Sequence, residues 1–301
     1  HDKNRRIVFY SIHLRKNSQT LTTQSIPALI KQLAIPASIG MFFNTMYNVV
    51  DTFYAGLIST QAISALTLSF MIFFLIIGFG YGFSSAITAL LGNALGKKRY
   101  KLASIYAHKG LIFVPLIGLT LSIIGYFFAP SLFMFLGAKD EYLQISLDYI
   151  NPILFGAIFF MFNFSLNSIL IATGDTKTYR NSLIFGFFAN LVLNPIFIYG
   201  FLFIPAMGIK GIAFATVLIQ IINMFYLFYK VLQTKLIHFD KLEYFIPNLR
   251  IYKLFFTHGI PSSLNMLTMA IGSLILTYFV SHYGIQAVAG YGIGYRVEQL
   301  M

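Results

Sequence analysis

The sequence predicts an all-α polytopic membrane protein, built as a six-helix lobe followed by the start of a second six-helix lobe. Two observations predict this fold class. The 301 residues are 57% hydrophobic and only 10% charged, whereas about 25% of the residues in a typical soluble domain are charged. The apolar residues also fall into runs of about 20 or more, which is the length that a helix needs to cross a bilayer.

Eight apolar runs predict seven complete spans and an eighth that meets the end of the sequence. They lie at residues 35–58, 62–92, 104–128, 146–171, 182–203, 208–229, 254–280 and 287 to the end. The sequence begins with His1 rather than Met and stops at Met301 within an apolar helical pattern. We therefore expect a truncated chain, with about eight of the twelve helices that two six-helix lobes would contain.

The positively charged residues are concentrated in every second connection between the predicted spans. Eighteen of the 21 Lys and Arg fall in four segments, 1–34, 93–109, 172–181 and 230–258. Positive charge in alternate connections is typical of the cytoplasmic side of a membrane protein. We therefore expect the N-terminus to lie in the cytoplasm and the spans to cross the inner (plasma) membrane. The position of these residues at the membrane surface then explains the net charge of +12, so this charge does not indicate that the protein binds nucleic acid.

A shift of 225 residues aligns the first predicted span with the seventh. The Ile35-Pro36 pair then matches Ile260-Pro261, and Gln61-Ala62 matches Gln286-Ala287. Six spans separate the two copies, so both copies run in the same direction through the membrane. This pattern predicts a parallel repeat of two six-helix bundles.

The predicted organisation has three parts. Residues 1–34 are expected to form a cytoplasmic tail with an interfacial helix at 20–34, because the segment is basic and lacks the long apolar core of a signal peptide. Residues 35–245 are expected to form the N-terminal six-helix lobe. Residues 246–301 are expected to begin the C-terminal lobe.

A single carboxylate, Asp51, lies inside the first predicted span. No Lys or Arg lies in the same run. Inserting a charge at membrane depth costs roughly 2.5–3.5 kcal/mol, and such residues usually mark ion or substrate pathways. The repeat aligns Asp51 with Leu276, so the carboxylate is not part of the shared scaffold. We therefore predict that Asp51 holds the coupling ion of a transporter.

Further polar side chains lie within the predicted spans, and several are four residues apart and so share one face of a helix. In a bilayer such faces must turn toward each other or toward water. The predicted cavity and supporting residues are Asn44, Tyr47 and Asn48 on the first helix, Asn163 and Asn167 on the fourth, Asn190 and Asn194 on the fifth, and Thr216 and Gln220 on the sixth. For the fourth-helix pair the favoured role is packing between helices.

The sequence favours no catalytic, metal or nucleotide chemistry. There is no Cys, and the six His residues fall in the predicted tail, loops or helix ends without ligand spacing, so we expect them to be interfacial. Glycines 78, 80 and 82 are expected to permit close helix packing. No protein cofactor, no bound metal other than a coupling ion, and no enzyme activity are predicted.

Four stretches resemble the MATE family of multidrug and toxic compound extrusion transporters, and the resemblance runs from about residue 28 to the end. NVVDTFYAG at 48–56 is similar to the family's first-helix Asp motif, and ATGDTKTYRN at 172–181 to its loop between the fourth and fifth helices. ANLVLNPIFIYG at 189–200 and GIAFATVLIQ at 211–220 are similar to its fifth and sixth helices. The resemblance implies two lobes with a drug cavity between them and export driven by a proton or sodium gradient.

The resemblance also implies a cation site in the first lobe. Carried over to the matching positions, that site comprises Asp51, Asn190, Asn194 and Thr216. Asn194 stands where several family members have Asp. One carboxylate in place of two favours protons over a tight sodium site, although Na⁺ at Asp51 stays open.

The expected function is therefore that of an ion-coupled antiporter that exports small organic cations by alternating access, and the expected oligomeric state is a monomer. The 33 Phe and 19 Tyr offer aromatic faces that attract such cations. The alternative is a flippase for lipid-linked oligosaccharides or lipid precursors, which needs a basic cavity for pyrophosphate. Lys and Arg are absent from the middle of every span through residue 280, and only Arg296 favours the flippase.

Overall fold

The computed structural model describes residues 25–239 and 242–298, and its fold within these ranges is helical apart from one isolated bridge between Phe201 and Ile204. The predicted fold class is confirmed, since seven of its helices are long and apolar enough to cross a membrane. The helices are α1 Ile26–Ile58, α2 Thr60–Gly96, α3 Tyr100–Phe135, α4 Asp140–Ala172, α5 Lys177–Tyr199, α6 Ile209–Gln233, α7 Leu249–Ser281 and α8 Ile285–Glu298.

The first helix begins earlier than the apolar run predicts. Residues 26–34 continue directly into the first span, so this part of the predicted interfacial helix is the start of α1 instead. Pro27 sits in the first turn, where a missing N–H leaves no hydrogen bond unmade. The rest of the predicted tail, residues 1–24, lies outside the described residues.

The centre of the structure is formed by α2 and α4, which are the most buried of the seven long helices, whereas α1 and α7 are the most exposed. The apolar core includes Leu66, Phe83 and Met161. One face of α2 packs against α3 and α4, and another packs against α7 and α8. The contacts between the two predicted lobes therefore run mainly along α2.

The repeat predicted from the sequence appears in the helix boundaries. Both α1 and α7 contain 33 residues. The next helices begin at Thr60 and Ile285, which is the predicted offset. Pro36 and Pro261 each lie inside the first helix of their copy.

The connection between α6 and α7, residues 234–248, is docked on α3. The hydroxyl of Ser104 donates to the carbonyl of Leu236 (2.6 Å), and the backbone N–H of His238 donates to Nε2 of His108 (3.0 Å). Lys109 Nζ donates to the carbonyl of Ile246. Of the His residues expected to be interfacial, His108 is fully buried within α3, because the docked connection covers it.

We expect His108→Leu to detach the first part of this connection. Leucine keeps the apolar volume of the ring but offers no acceptor to the His238 N–H, and a buried unmatched donor costs about 1–3 kcal/mol. Hydrogen exchange measured by mass spectrometry should therefore speed up roughly tenfold in peptides that cover residues 234–239. The exposed His258 of α7 provides the control, since His258→Leu should leave those peptides unchanged. Equal exchange in the two variants would contradict the assignment.

Candidate cation site

The carboxylate of Asp51 is buried between α1, α5 and α6, with 4% of the residue exposed. Oδ1 accepts hydrogen bonds from the side-chain amides of Asn190 (2.8 Å) and Asn194 (2.9 Å). Oδ2 accepts a longer bond from the hydroxyl of Thr216 (3.4 Å). The four residues that the MATE resemblance implies are therefore in direct contact.

A fifth residue completes the cluster. The hydroxyl of Tyr47, one helical turn before Asp51, donates to Oγ of Thr216 (2.9 Å). Thr216 can then use its own proton for Asp51, so the hydrogen bonds run from α1 to α6 and back to α1. Tyr47 was predicted as a supporting residue because it shares a helix face with Asp51, and the structure places it there.

The two amides of α5 lie beside Pro195, and a contact from α1 replaces the helical hydrogen bond that this proline cannot make. Asn190 and Asn194 are four residues apart and so face the same side of α5. Pro195 has no N–H, which leaves the carbonyl of Leu191 without its helical partner. The hydroxyl of Tyr54 on α1 donates to that carbonyl (3.1 Å). The same contact therefore satisfies α5 and fixes it against α1 next to the site.

The direct partners of the carboxylate are all neutral. Asp51 forms no salt bridge within the described ranges, where the ion pair found joins Lys210 to Asp148, in the first third of α4 (3.2 Å). A buried charge without a partner ion is costly, so the site favours a bound proton or cation. The oxygens available to a cation are those of Asp51, the two amides, Thr216 and Tyr47, and Oδ1 of Asn194 is buried with no hydrogen bond.

The remaining polar residues predicted from the sequence do not join this cluster. The side-chain amide of Asn163 donates to both oxygens of Gln220 (2.8 Å to Oε1, 3.0 Å to the carbonyl), which links α4 to α6. Asn167 is buried, with its side-chain oxygen unmatched. Asn48 donates to the carbonyl of Asn44 on its own helix (2.9 Å). Of these contacts, the Asn163–Gln220 pair links two helices, whereas the Asn48 bond stays within α1.

Sequence reasoning left one buried cation unassigned. Arg296 on α8 is 3% exposed, and its guanidinium lies over the ring of Phe70 on α2 (4.1 Å to the ring centre). Arg296 could have been found as the lone mid-helix cation, but its contacts depend on how α8 packs.

Comparison with known proteins gives the family. The family model MatE matches residues 36–196, which is more than half of the chain and includes α2 to α4, most of α1 and α5, and the Asp51 cluster as far as Asn194. The chain belongs to the MatE family. The resemblance to MATE transporters is thereby confirmed.

Similar proteins and similar solved structures agree with this assignment. This chain is 32% identical to "Probable multidrug resistance protein YoeA" of Bacillus subtilis over 240 residues, covering 78% of this chain and 52% of that protein. It is 24% identical to "Multidrug export protein MepA" of Staphylococcus aureus over 268 residues, covering 88% and 58%. An inward-facing structure of a multidrug resistance MATE family transporter superposes with a TM-score of 0.78 at 30% identity, covering 90% of this chain and 61% of that one.

The MatE chain therefore spans between half and two thirds of the length of these proteins. The names of two of these proteins describe export or transport. The chain is a multi-pass membrane protein of a transporter family.

Proposed function

We propose that this protein is part of, or is, an ion-coupled antiporter that exports small organic cations by alternating access, with Asp51 as the site of the coupling ion. The observation that supports it most is the buried carboxylate with neutral partners from two other helices. A carboxylate that bonds α1 to α5 and α6 links its own charge state to the packing of α1. Binding and release of an ion can therefore move the helix.

The amides beside Asp51 suggest how the ion acts. Both Asn190 and Asn194 turn their N–H groups to the carboxylate, which is the orientation suited to an anion. A bound Na⁺ would require at least one amide to rotate and present its oxygen, which changes the bonds between α1 and α5. A proton on Oδ2 would remove the acceptor of the Thr216 hydroxyl and so change the bond between α1 and α6. Either change alters how α1 is held, which favours a different packing of α1.

The coupling ion is a substrate of this reaction, and we propose a proton in preference to Na⁺. A sodium ion is bound most tightly where several anionic oxygens surround it. The described cluster supplies one carboxylate and otherwise neutral oxygens. A proton needs only the carboxylate and neutral hydrogen-bond partners, all of which the cluster provides.

The proposed substrates are small organic cations with flat apolar groups. Four Phe rings meet on α1 and α5, with Phe43 packed edge-on against Phe187 (5.4 Å between ring centres). Phe42 and Phe188 extend this cluster and are more than half exposed. Exposed aromatic faces attract organic cations. We further propose that the protein is a monomer in the plasma membrane. Its N-terminus is proposed to lie in the cytoplasm, because the Lys and Arg residues are concentrated in alternate connections.

Ethidium efflux from cells tests this proposal. Cells that lack their own efflux pumps would express the full-length gene product, and be loaded with ethidium and then energised. Export faster than in cells with an empty vector supports the antiporter. A protonophore should stop export if protons drive it, whereas an exchanger that collapses only the sodium gradient should not.

The same experiment separates the flippase alternative. That alternative is favoured by one observation, the buried basic side chain of Arg296. If ethidium export equals the vector control under both gradients, the drug antiporter is excluded. Translocation of a fluorescent lipid-linked sugar diphosphate in liposomes would then support the flippase.

A further inference from the structure

The ring of His108 is fully buried in α3 and makes a contact through each of its two nitrogens. Nδ1 lies 2.7 Å from the carbonyl oxygen of Ser104, one turn earlier on the same helix. Nε2 lies 3.0 Å from the backbone nitrogen of His238 in the connection between α6 and α7. The roles in both contacts are fixed, since a carbonyl oxygen only accepts a hydrogen bond and a backbone N–H only donates one.

These contacts require a neutral ring. The carbonyl of Ser104 needs a proton on Nδ1, and the N–H of His238 needs a lone pair on Nε2. A neutral imidazole offers one of each, whereas an imidazolium ion carries a proton on both nitrogens. The hydroxyl of Ser104 agrees with this assignment, because it lies 3.5 Å from Nδ1 and donates its own proton to the carbonyl of Leu236 (2.6 Å). The docked connection therefore holds His108 in its neutral form.

A proton added to Nε2 would change the bond between α3 and the connection. The new N–H would face the backbone N–H of His238, and two donors cannot bond to each other. The carbonyl oxygen of His238 lies 3.2 Å from Nε2, so the protonated ring would have to exchange one backbone partner for the other. That exchange displaces the backbone of the connection and leaves the N–H of His238 without its acceptor.

Aromatic rings surround His108 on the side of the connection. Within the described ranges these are His238, Tyr244 and Phe245, at 6.4, 5.4 and 4.7 Å between ring centres. The neighbouring α2, α4 and α6 contribute apolar side chains to the core at this level of α3. The titratable groups in contact with the ring are therefore an imidazole and a phenol, and neither is an anion at neutral or acid pH.

The nearest charged groups of α3 and the described connection do not supply a counter-ion. Lys109 follows His108 on α3, and its ammonium group donates to the backbone carbonyls of Glu243 and Ile246. The side chain of Glu243 is exposed. A buried positive charge without a counter-ion is costly, so protonation of His108 disfavours the docked arrangement.

We propose that His108 and the docked connection form a pH-sensitive contact, in which protonation of His108 releases residues 236–238 from α3. The docked form binds one proton fewer than the released form, so docking strengthens as the pH rises and weakens as it falls. An exposed imidazole takes up its proton between about pH 8 and pH 5, which sets the range of the response. The connection joins the two predicted lobes on the predicted cytoplasmic side, so acidification of that side loosens their attachment. This inference does not depend on the proposed function.

Hydrogen exchange of the full-length gene product in lipid nanodiscs tests this proposal. Exchange is measured by mass spectrometry at about pH 7.5 and about pH 5.5, and each rate is divided by that of an unfolded reference peptide at the same pH. Protection of residues 234–239 should be roughly tenfold weaker at the lower pH, because the backbone N–H loses its acceptor. Peptides that cover residues 200–208 contain no His and should show equal protection. Equal protection of residues 234–239 at the two pH values would overturn the inference.

Variants of His108 assign the response to this ring. The amide oxygen of His108→Gln can accept from the backbone N–H but takes up no proton, and His108→Leu offers no acceptor at all. Whether or not the new side chain docks the connection, each variant should show equal protection at both pH values. A wild-type response in His108→Gln would show that another group titrates, and the inference would be wrong.

The neighbouring imidazole requires its own variant. His238→Gln leaves the backbone N–H that bonds to His108 in place, so it should retain the pH response. Loss of the response in His238→Gln would assign it to that side chain instead and would contradict the proposal. His258→Gln removes an exposed imidazole of α7 and should behave as the wild type does.

Discussion

Replacing Asp51 by Asn is expected to reduce ion-driven ethidium export to the rate of cells with an empty vector, a loss of about tenfold or more. Asparagine has the shape of the aspartate side chain and its oxygen can still accept from Asn190 and Asn194, so folding should be preserved. It can neither take up a proton nor offer a negative charge to a cation. Export should therefore lose its driving force while the protein remains in the membrane.

The matched control is Asp148→Asn on α4. This carboxylate is partly exposed and pairs with Lys210, and surface pairs contribute little to stability. The variant should export ethidium at nearly the wild-type rate at equal amounts in the membrane. If Asp51→Asn exports as well as Asp148→Asn, Asp51 is not the coupling site.

Replacing Gly82 by Ala is expected to force α2 and α7 apart. An added Cβ would overlap the hydroxyl of Ser263 and lie 2.6 Å from its backbone nitrogen and 2.7 Å from the carbonyl of Gly259. Two of these atoms belong to the backbone, so no side-chain rotation relieves the clash. Such overpacking typically costs about 1–3 kcal/mol, and we expect the midpoint of thermal unfolding in detergent to fall by roughly 3–8 °C.

The same helix supplies the control. A Cβ at Gly92 would meet nothing within 4 Å, and alanine favours a helix over glycine by about 1 kcal/mol. Gly92→Ala should therefore leave the midpoint unchanged or raise it. A Gly82→Ala protein that is as stable as Gly92→Ala would show that α2 and α7 are not packed as closely as the structure describes.

The sequence carried much of the information about the Asp51 cluster. An isolated carboxylate in an apolar run is conspicuous, and the spacing of Asn190 and Asn194 defines one face of a helix without any knowledge of the fold. Whether that face meets Asp51 depends on how α1 and α5 pack, which the family resemblance implied. Asn163 and Asn167 show the same spacing but lie in another contact, so spacing alone did not distinguish the two pairs.

Other features depend on tertiary packing and left no local signal. The apolar run begins at Ile35 and so predicts a start of α1 that is too late. The helix begins at Ile26, with Pro27 in its first turn. His108 is covered by a connection that is distant in sequence, so its position near the start of a span does not reveal that it is buried.

The docked connection between α6 and α7 sets the geometry of any rocking motion. Fifteen residues separate these helices, and such a chain could extend to roughly 50 Å if it were free. Because Lys109 Nζ donates to the carbonyl of Ile246, only Pro247 and Asn248 lie between this contact and the start of α7. Two residues span at most roughly 7 Å. The other end of α7 lies about 50 Å along the helix. In the proposed alternating-access cycle, the second lobe would therefore turn about a point close to α3, and its displacement would increase toward the far end of α7.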